Sequence, residues 1–278
     1  MTLQEVADSL GVHYMTAYRY VRQGRLPATR EGAEWRIHPA DVEMLRNAPS
    51  PRRGTPRAGL DWEALERRMR AGDAPGAWWL VESRLGGGLD PAGVLTEMVV
   101  PALRSIGDRW AQEDVTIAEE HRATLVAQRI VGRLGLQFGR RGKDRGTVAL
   151  AAPAGDLHTL PVSIVADLLR WRGFDVLELG GNTPAETLGE AVAREHRLLG
   201  VGIVSTTSGL DHEVAESIRA VRTASPNTPI FVGGGAIHSS SQASDLGADT
   251  WTGAGTNAAV ATVEQIAGPD VRSRRRVA

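Results

Sequence analysis

Four short apolar runs divide the C-terminal half of the chain: "TVALAAP" from residue 147, "FDVLELG" from 174, "LLGVGIVS" from 198 and "TPIFVGG" from 228. Each is too short and too continuously apolar for a surface helix, and each reads as a parallel strand buried on both faces. Between them, segments near 161–172, 185–197, 211–224 and 239–247 carry helical spacing. A fifth, weaker strand around "ADTWTG" precedes a last helix. Such alternation demands an open, doubly wound sheet whose ligand lies beyond the C-terminal strand ends.

This flavodoxin-like sheet, over residues 146–268, is preceded by a helical region. Residues 60–140 contain "LDWEALERRMRAG", "APGAWWLVESRLGGG", "DPAGVLTEMVVPALRSIGDRWAQ" and "TIAEEHRATLVAQRIVGRLGLQF", joined by short turns. They predict an antiparallel four-helix bundle, with Pro101 kinking or interrupting the third helix. Thr116 and Glu119 form a capping box that starts the fourth helix, so Glu120 and His121 fall in its first turn, near Trp110 at the end of the third. At the N-terminus, Thr2 and Glu5 form another capping box ahead of a helix that Gly11 stops. "YMTAYRYVRQG" is a second helix with Ala17 and Val21 inward, "RLPATREGAEWRI" a hairpin turning at Glu31-Gly32, and "HPADVEMLRN" a third helix. The whole is expected to be multidomain α and α/β: a helix-turn-helix unit at 1–46, a Pro- and Arg-rich linker at 47–59, the bundle, the sheet, and a basic tail at 269–278.

At 278 residues the chain is long enough for two or three such units. Its formal net charge is only -1, yet residues 1–60 carry nine arginines against six acids. A basic front end on an acidic body fits a nucleic-acid contact near the N-terminus. Cysteine is absent, which excludes disulfides, thiolate metal sites and a cysteine nucleophile and suits a reducing cytoplasm. No apolar run is long enough to cross a bilayer and the start is not a signal peptide, so a cytoplasmic protein is expected.

The loops after the strands carry the chemistry. "APAGDLHTLP" sets Asp156 and His158 two positions apart beyond the first strand. An imidazole there can ligate a metal while the carboxylate holds its other nitrogen; taken alone it equally suits a solvated loop histidine. Strand three ends at Ser205-Thr206-Thr207 and strand four at Gly233-Gly234-Gly235, glycines that serve either a turn or the close approach of a flat ligand. No GxGxxG follows strand one and no phosphate-loop lysine is present. No acid-base pair or nucleophile constellation points to turnover.

Together, D-x-H-x-x-P, the Ser205-Thr206-Thr207 run and the glycine triplet resemble the D-x-H-x-x-G, S-x-L, G-G pattern of cobalamin-binding domains of the methionine-synthase type. The resemblance implies His158 as the lower cobalt ligand in place of dimethylbenzimidazole, Asp156 as its partner, and a nucleotide tail running beside Ser205, Thr207, Gly233, Gly234 and Gly235. Pro161 stands where that family commonly has Gly, and Thr207 where it often has Leu. The spacing Trp110, nine residues, Glu120, His121 resembles the W-x9-E-H signature of CarH/LitR-type B12-dependent photoreceptor repressors, in which these residues pack around a 5'-deoxyadenosyl group; Trp110 otherwise reads as core and the acid-histidine pair as a polar helix start. Where that family has a histidine after the Trp, this chain has Ala111.

The first 46 residues resemble winged helix-turn-helix domains of the MerR and excisionase class. The resemblance puts His13, Tyr14, Thr16, Tyr18 and Arg19 on the exposed side or N-terminus of the second helix, toward a major groove, with Arg22, Arg25, Arg30 and Arg36 at phosphates. A protein-binding helical module is the other reading of that face. "RSRRRVA" at the end adds charge attraction or is simply a disordered tail. The expectation is a light-responsive transcriptional regulator, read as a repressor, that uses adenosylcobalamin, binds double-stranded promoter DNA and forms a homo-oligomer, a tetramer in the dark. The alternatives are a light-independent B12 sensor, a corrinoid methyl carrier, and a photoreceptor with an additional tetrapyrrole.

Overall fold

The computed structural model describes residues 1–10, 12, 14–22, 26–31, 34–47, 61–138, 145–253 and 255–268. His13, Arg25, the side chains of Arg19 and Arg22, nearly all of the expected linker and the basic tail lie outside the described residues. The chain forms two compact units, Met1–Ala58 and Gly59–Ala278.

In the first unit, α1 (Leu3–Leu10) and α2 (Tyr14–Arg22) are followed by the hairpin β1 (Thr29–Glu31) and β2 (Glu34–Arg36) and by α3 (Pro39–Asn47). The Thr2 capping box is present: Glu5 N donates to Thr2 Oγ1 at 3.3 Å and Thr2 N to Glu5 Oε2 at 2.8 Å. Leu3, Val6, Ala7, Ala17, Leu26, Ile37 and Val42 are buried together as a small core. This is the helix, helix, hairpin, helix order that the sequence pattern demands.

The second unit opens with the helices α4 (Asp61–Ala71) and α5 (Ala74–Gly86). The next runs as α6 (Pro91–Val94), a π-helical turn at Leu95–Val99, and α7 (Val100–Ala111); α8 (Ile117–Gly135) completes the bundle. Pro101 therefore does not break the third helix as the sequence suggests. Proline removes one helical donor and crowds the preceding turn. The chain answers by widening that turn, with Val100 N donating five residues back to Leu95 O. The bundle interior is Leu65, Met69, Ala77, Val81, Met98, Ala102, Ile106, Ala123, Ala127 and Ile130 at helical spacing.

The sheet follows as β3 (Thr147–Pro153), α9 (Thr159–Trp171), β4 (Asp175–Thr183), α10 (Ala185–Ala193), β5 (Leu198–Val204), α11 (Asp211–Ala224), β6 (Ile230–Gly233), α12 (Ser240–Asp245), β7 (Thr250–Trp251) and α13 (Thr256–Ala267). The strand order is β4-β3-β5-β6-β7, all parallel. Along β3, Val148, Leu150 and Ala152 share a core with α9, α13 and the bundle, while Ala149 and Ala151 face α10 and α11. That period-two division is why the strand is apolar throughout. Strand order reverses between β3 and β5, which makes the loops after those two strands the crevice where ligands bind.

Bundle and sheet share one continuous core. It runs from Leu134 on α8 through Phe138, whose ring meets Trp171 of α9 edge-on at 5.8 Å, to Val165 and Leu169. In β5, Gly202 is required by packing: a Cβ there would fall on the Phe231 ring and within 2.6 Å of Leu150 Cδ2. Gly202→Ala is expected to destabilise the protein by about 1–3 kcal/mol through overpacking, read as a lower denaturant midpoint with unchanged slope. An unchanged midpoint would contradict this.

Candidate functional site

After β3, the chain turns through Gly155, whose φ of +85° favours glycine, and sends the Asp156 side chain back under the sheet edge, where it is fully buried. A carboxylate buried there requires donors on every side. Oδ2 accepts from Thr206 N at 2.6 Å and Thr207 N at 3.2 Å, both in the loop after β5. Oδ1 accepts from His158 Nδ1 at 2.8 Å, His158 N at 3.1 Å and Thr207 Oγ1 at 3.2 Å, and Thr206 Oγ1 lies 3.1 Å from both oxygens. The end of β4 fixes the backbone of the same turn, with Asn182 N donating to the Asp156 carbonyl oxygen at 2.7 Å and Gly155 N to Asn182 Oδ1 at 2.8 Å. Burial alone would raise the Asp156 pKa; the hydrogen bonds from His158, Thr206 and Thr207 outweigh it and hold the carboxyl well below the usual range.

The consequence falls on His158, just ahead of α9. The hydrogen bond to Asp156 raises its pKa, burial works the other way, and the charges of Asp156 and then Glu120 add to the rise. With Nδ1 committed to Asp156, Nε2 is the free nitrogen of the neutral ring and a strong donor to a metal. The His158 side chain is 61 % exposed, and the neighbouring Leu157 is 72 % exposed. Among the described residues no cluster of three His, Cys, Asp or Glu side chains could hold a bare metal ion. One oriented imidazole beside an exposed apolar side chain fits a metal that brings its own equatorial ligands on a flat organic ring.

The Glu120 charge is among those that raise the His158 pKa, so the start of α8 lies within electrostatic range of the histidine loop. There Glu119 completes the capping box with Thr116. Glu120 Oε2 lies 2.7 Å from His121 Nδ1, and Oε1 accepts from Thr124 Oγ1 at 2.7 Å. Trp110, in the last turn of α7, is 51 % exposed, unusual for so large an apolar side chain. A cleft of about 590 Å³ opens between α7 and the loop after β7, lined by Pro101, Arg104, Ser105, Asp108, Thr256 and Asn257 among others. Gly255 and Thr256 are shared with a narrow slot of about 50 Å³ that reaches Pro161, Val204, Gly233 and Gly234.

Gly233 and Gly234 each answer to a close backbone approach. A Cβ on Gly233 would meet Thr252 Oγ1 and Gly253 O, and Gly234, at φ +106°, lies against Ser205 O. Gly235 has open space around it. Neither it nor Ser205, which is 1 % exposed, lines the slot. Asn182 is the residue that sequence reasoning missed, and Thr206, named there only within the Ser205-Thr206-Thr207 run, is the one whose bonds to Asp156 were not anticipated. Thr206 acts through its backbone N–H as well as its hydroxyl, and Asn182 through a left-handed φ of +52°, for which the "GGNTP" turn was the available signal.

In the N-terminal unit Tyr14 is exposed at the start of α2, and Thr16 is half-buried. Tyr18 is half-buried and packs partly against the small core. Arg30 and Arg36 are exposed on the hairpin, with the Arg30 guanidinium 6.0 Å from the Trp35 ring centre.

Comparison with known proteins agrees with this layout. Residues 1–48 match the helix-turn-helix domain family, and two families described as B12 binding domains match residues 62–134 and 146–263. The two B12 binding matches follow the helix-turn-helix match along the chain. It is 34 % identical over 155 residues to the HTH-type transcriptional repressor CarH of Myxococcus xanthus, a match covering 54 % of this chain and 50 % of that protein. The trimethylamine corrinoid protein of Methanosarcina barkeri is 24 % identical over 65 % of this chain and 84 % of its own length. In fold, the chain is similar to the structure of the Methanosarcina barkeri monomethylamine corrinoid protein, with a TM-score of 0.62 and 18 % identity over 74 % of this chain and 98 % of that one. The chain thus spans about half the length of the CarH relative. Among the described residues no helix is long and apolar enough to cross a membrane.

The Asp156 contact predicts a measurable shift in the apoprotein. Asp156→Asn removes the charge that raises the His158 pKa, so an NMR titration should show the His158 midpoint moving down, because burial then acts with less opposition. A midpoint that stays raised would place the cause elsewhere.

Proposed function

We propose that this B12-binding, helix-turn-helix protein is a light-responsive transcriptional regulator, read as a repressor, with adenosylcobalamin as its chromophore. The observation that carries the reading is the Asp156-oriented His158, within electrostatic range of a helix start that bears Glu120 and His121. In this reading His158 Nε2 would hold the cobalt of the cofactor, and Trp110, Glu120 and His121 would border its adenosyl group. When bound, the cofactor supplies a cobalt–carbon bond that visible light breaks.

The chain's own residues perform the rest. Asp156 keeps Nδ1 of His158 occupied, so that Nε2 alone faces the metal. Trp110 offers the adenosyl group an apolar wall, and Glu120 with His121 offers hydrogen-bond partners. Gly233 and Gly234, beside the narrow slot, leave room at the backbone for the nucleotide tail. Ala111 has no group able to take the position above the metal, and His121 is already held by Glu120. Trp110, Glu120 and His121 would close upon an adenosyl group when it is bound, and without it would favour a second arrangement of the bundle. A dark homo-oligomer, a tetramer in this reading, would bind tandem sites on duplex promoter DNA by avidity, and its dissociation would release them. Tyr14 and Thr16 on α2, with Arg30 and Arg36 on the hairpin, are the described groups placed for such a duplex.

Size-exclusion chromatography with absorption spectra tests the reading on protein loaded with adenosylcobalamin, first in darkness and then after green light. The expected outcome is a dark oligomer whose adenosyl spectrum bleaches on illumination as its size changes. Binding with no change of size in light would instead make the chain a chemical B12 sensor. A failure to bind cobalamin would sink the cofactor assignment.

A further inference from the structure

The interior of the bundle holds a charge where an apolar side chain would serve packing as well. Glu66 on α4 is only 5 % exposed. Its Oε1 accepts from Arg109 Nη1 at 2.9 Å and pairs with Arg70 Nη1 at 3.6 Å, and its Oε2 accepts from Ser105 Oγ at 2.9 Å. Arg70, one turn further along α4, extends its other nitrogen to Glu119 Oε1 at 2.8 Å. Glu119 in turn accepts from Thr116 N and Oγ1 through Oε2, at 3.0 and 2.9 Å. Those bonds, the backbone one first and Arg70 second, bring the Glu119 pKa down to about 2.

The sequence positions of the clamp matter more than its strength. Arg109 immediately precedes Trp110, and Glu119 immediately precedes Glu120 and His121. The connection between them is held as well, with Arg109 reaching Asp114 at 3.3 Å and Glu113 in the left-handed region at φ +62°. One buried carboxylate, through two arginines, therefore ties the end of α7 to the start of α8. Buried ion networks seldom add net stability over apolar packing; what this one contributes is a fixed separation between two helix ends.

We propose that the network of Glu66, Arg70 and Arg109 sets the gap between Trp110 and the pair Glu120–His121, and so selects a bulky, nucleoside-type upper ligand over a small one. These three are positioning residues that touch no cofactor, and the proposal rests on the reading that Trp110, Glu120 and His121 border the upper ligand. Loosening the clamp lets the gap vary. A large ligand that must be gripped on both sides then loses affinity, whereas a hydroxyl or water ligand, held only through His158 and the corrin, does not.

Dark absorption titrations of the full chain with adenosylcobalamin and with hydroxocobalamin test this on wild type, Glu66→Gln and Arg70→Lys. Lysine keeps a charge at position 70 but cannot fork between Glu66 and Glu119, so it remains informative if Glu66→Gln fails to fold. The expected result is a fall in preference for adenosylcobalamin of about tenfold or more, the scale of losing a buried charge-assisted hydrogen bond, with hydroxocobalamin affinity changed less than about twofold. A preserved preference overturns the proposal. Equal losses on both ligands overturn it too, because they assign the network to the fold alone. A wild type that does not prefer adenosylcobalamin would instead defeat the upper-pocket reading, before any variant is compared.

Discussion

A fully buried carboxylate organises the edge of this sheet. Asp156 can remain ionised under the strand ends because its own loop, through His158, and the loop after β5, through Thr206 and Thr207, both donate to its carboxylate, while Asn182 at the end of β4 holds only the backbone of that turn. Removing any donor would leave a buried charge short of partners, which is far more damaging than losing an exposed contact. The same hydrogen bonds that satisfy Asp156 give His158 one ring orientation and one available nitrogen. Local folding and ligand chemistry are thus one constraint, with the switch between β3 and β5 supplying its location.

A two-sided site also needs its second side held at a distance, and the shared core does that. Phe138, just past α8, meets Trp171 of α9 at the far end, while Glu120 at the α8 start is close enough for its charge to act on His158. Trp110 and Leu157 are large apolar side chains left exposed, one at the end of α7 and the other in the loop after β3. The π-helical turn before Pro101 lets one helix run without a break from the bundle core to Trp110, so a proline that looks like an obstacle in sequence is absorbed on the way to the site.

Much of this was legible because it depends on period and short spacing. The apolar runs of "TVALAAP" and "LLGVGIVS" demand buried strands, Thr116 with Glu119 marks the start of α8, and Asp156 with His158 stands out as soon as the strand before it is recognised. What stayed hidden depends on three-dimensional convergence. Thr206 stood in the Ser205-Thr206-Thr207 run, but its backbone N–H, which every residue type except proline possesses, gives no signal in the sequence. Glu66 lies in "EALERRMR", where a helical glutamate reads as solvent-facing, and only the approach of Ser105 and Arg109 from another helix makes it a hub.

Electron paramagnetic resonance of the protein loaded with cobalt(II) cobalamin, with and without histidine carrying the heavy nitrogen isotope, tests the axial role of His158 directly. Ordinary nitrogen splits each cobalt line into a triplet, and the heavy isotope splits it into a doublet. Doublets on histidine labelling, lost in His158→Ala, are predicted. Triplets that persist despite labelling would mean that the cofactor's own base still holds the metal, and would contradict the assignment of Asp156 and His158 on which the functional reading stands.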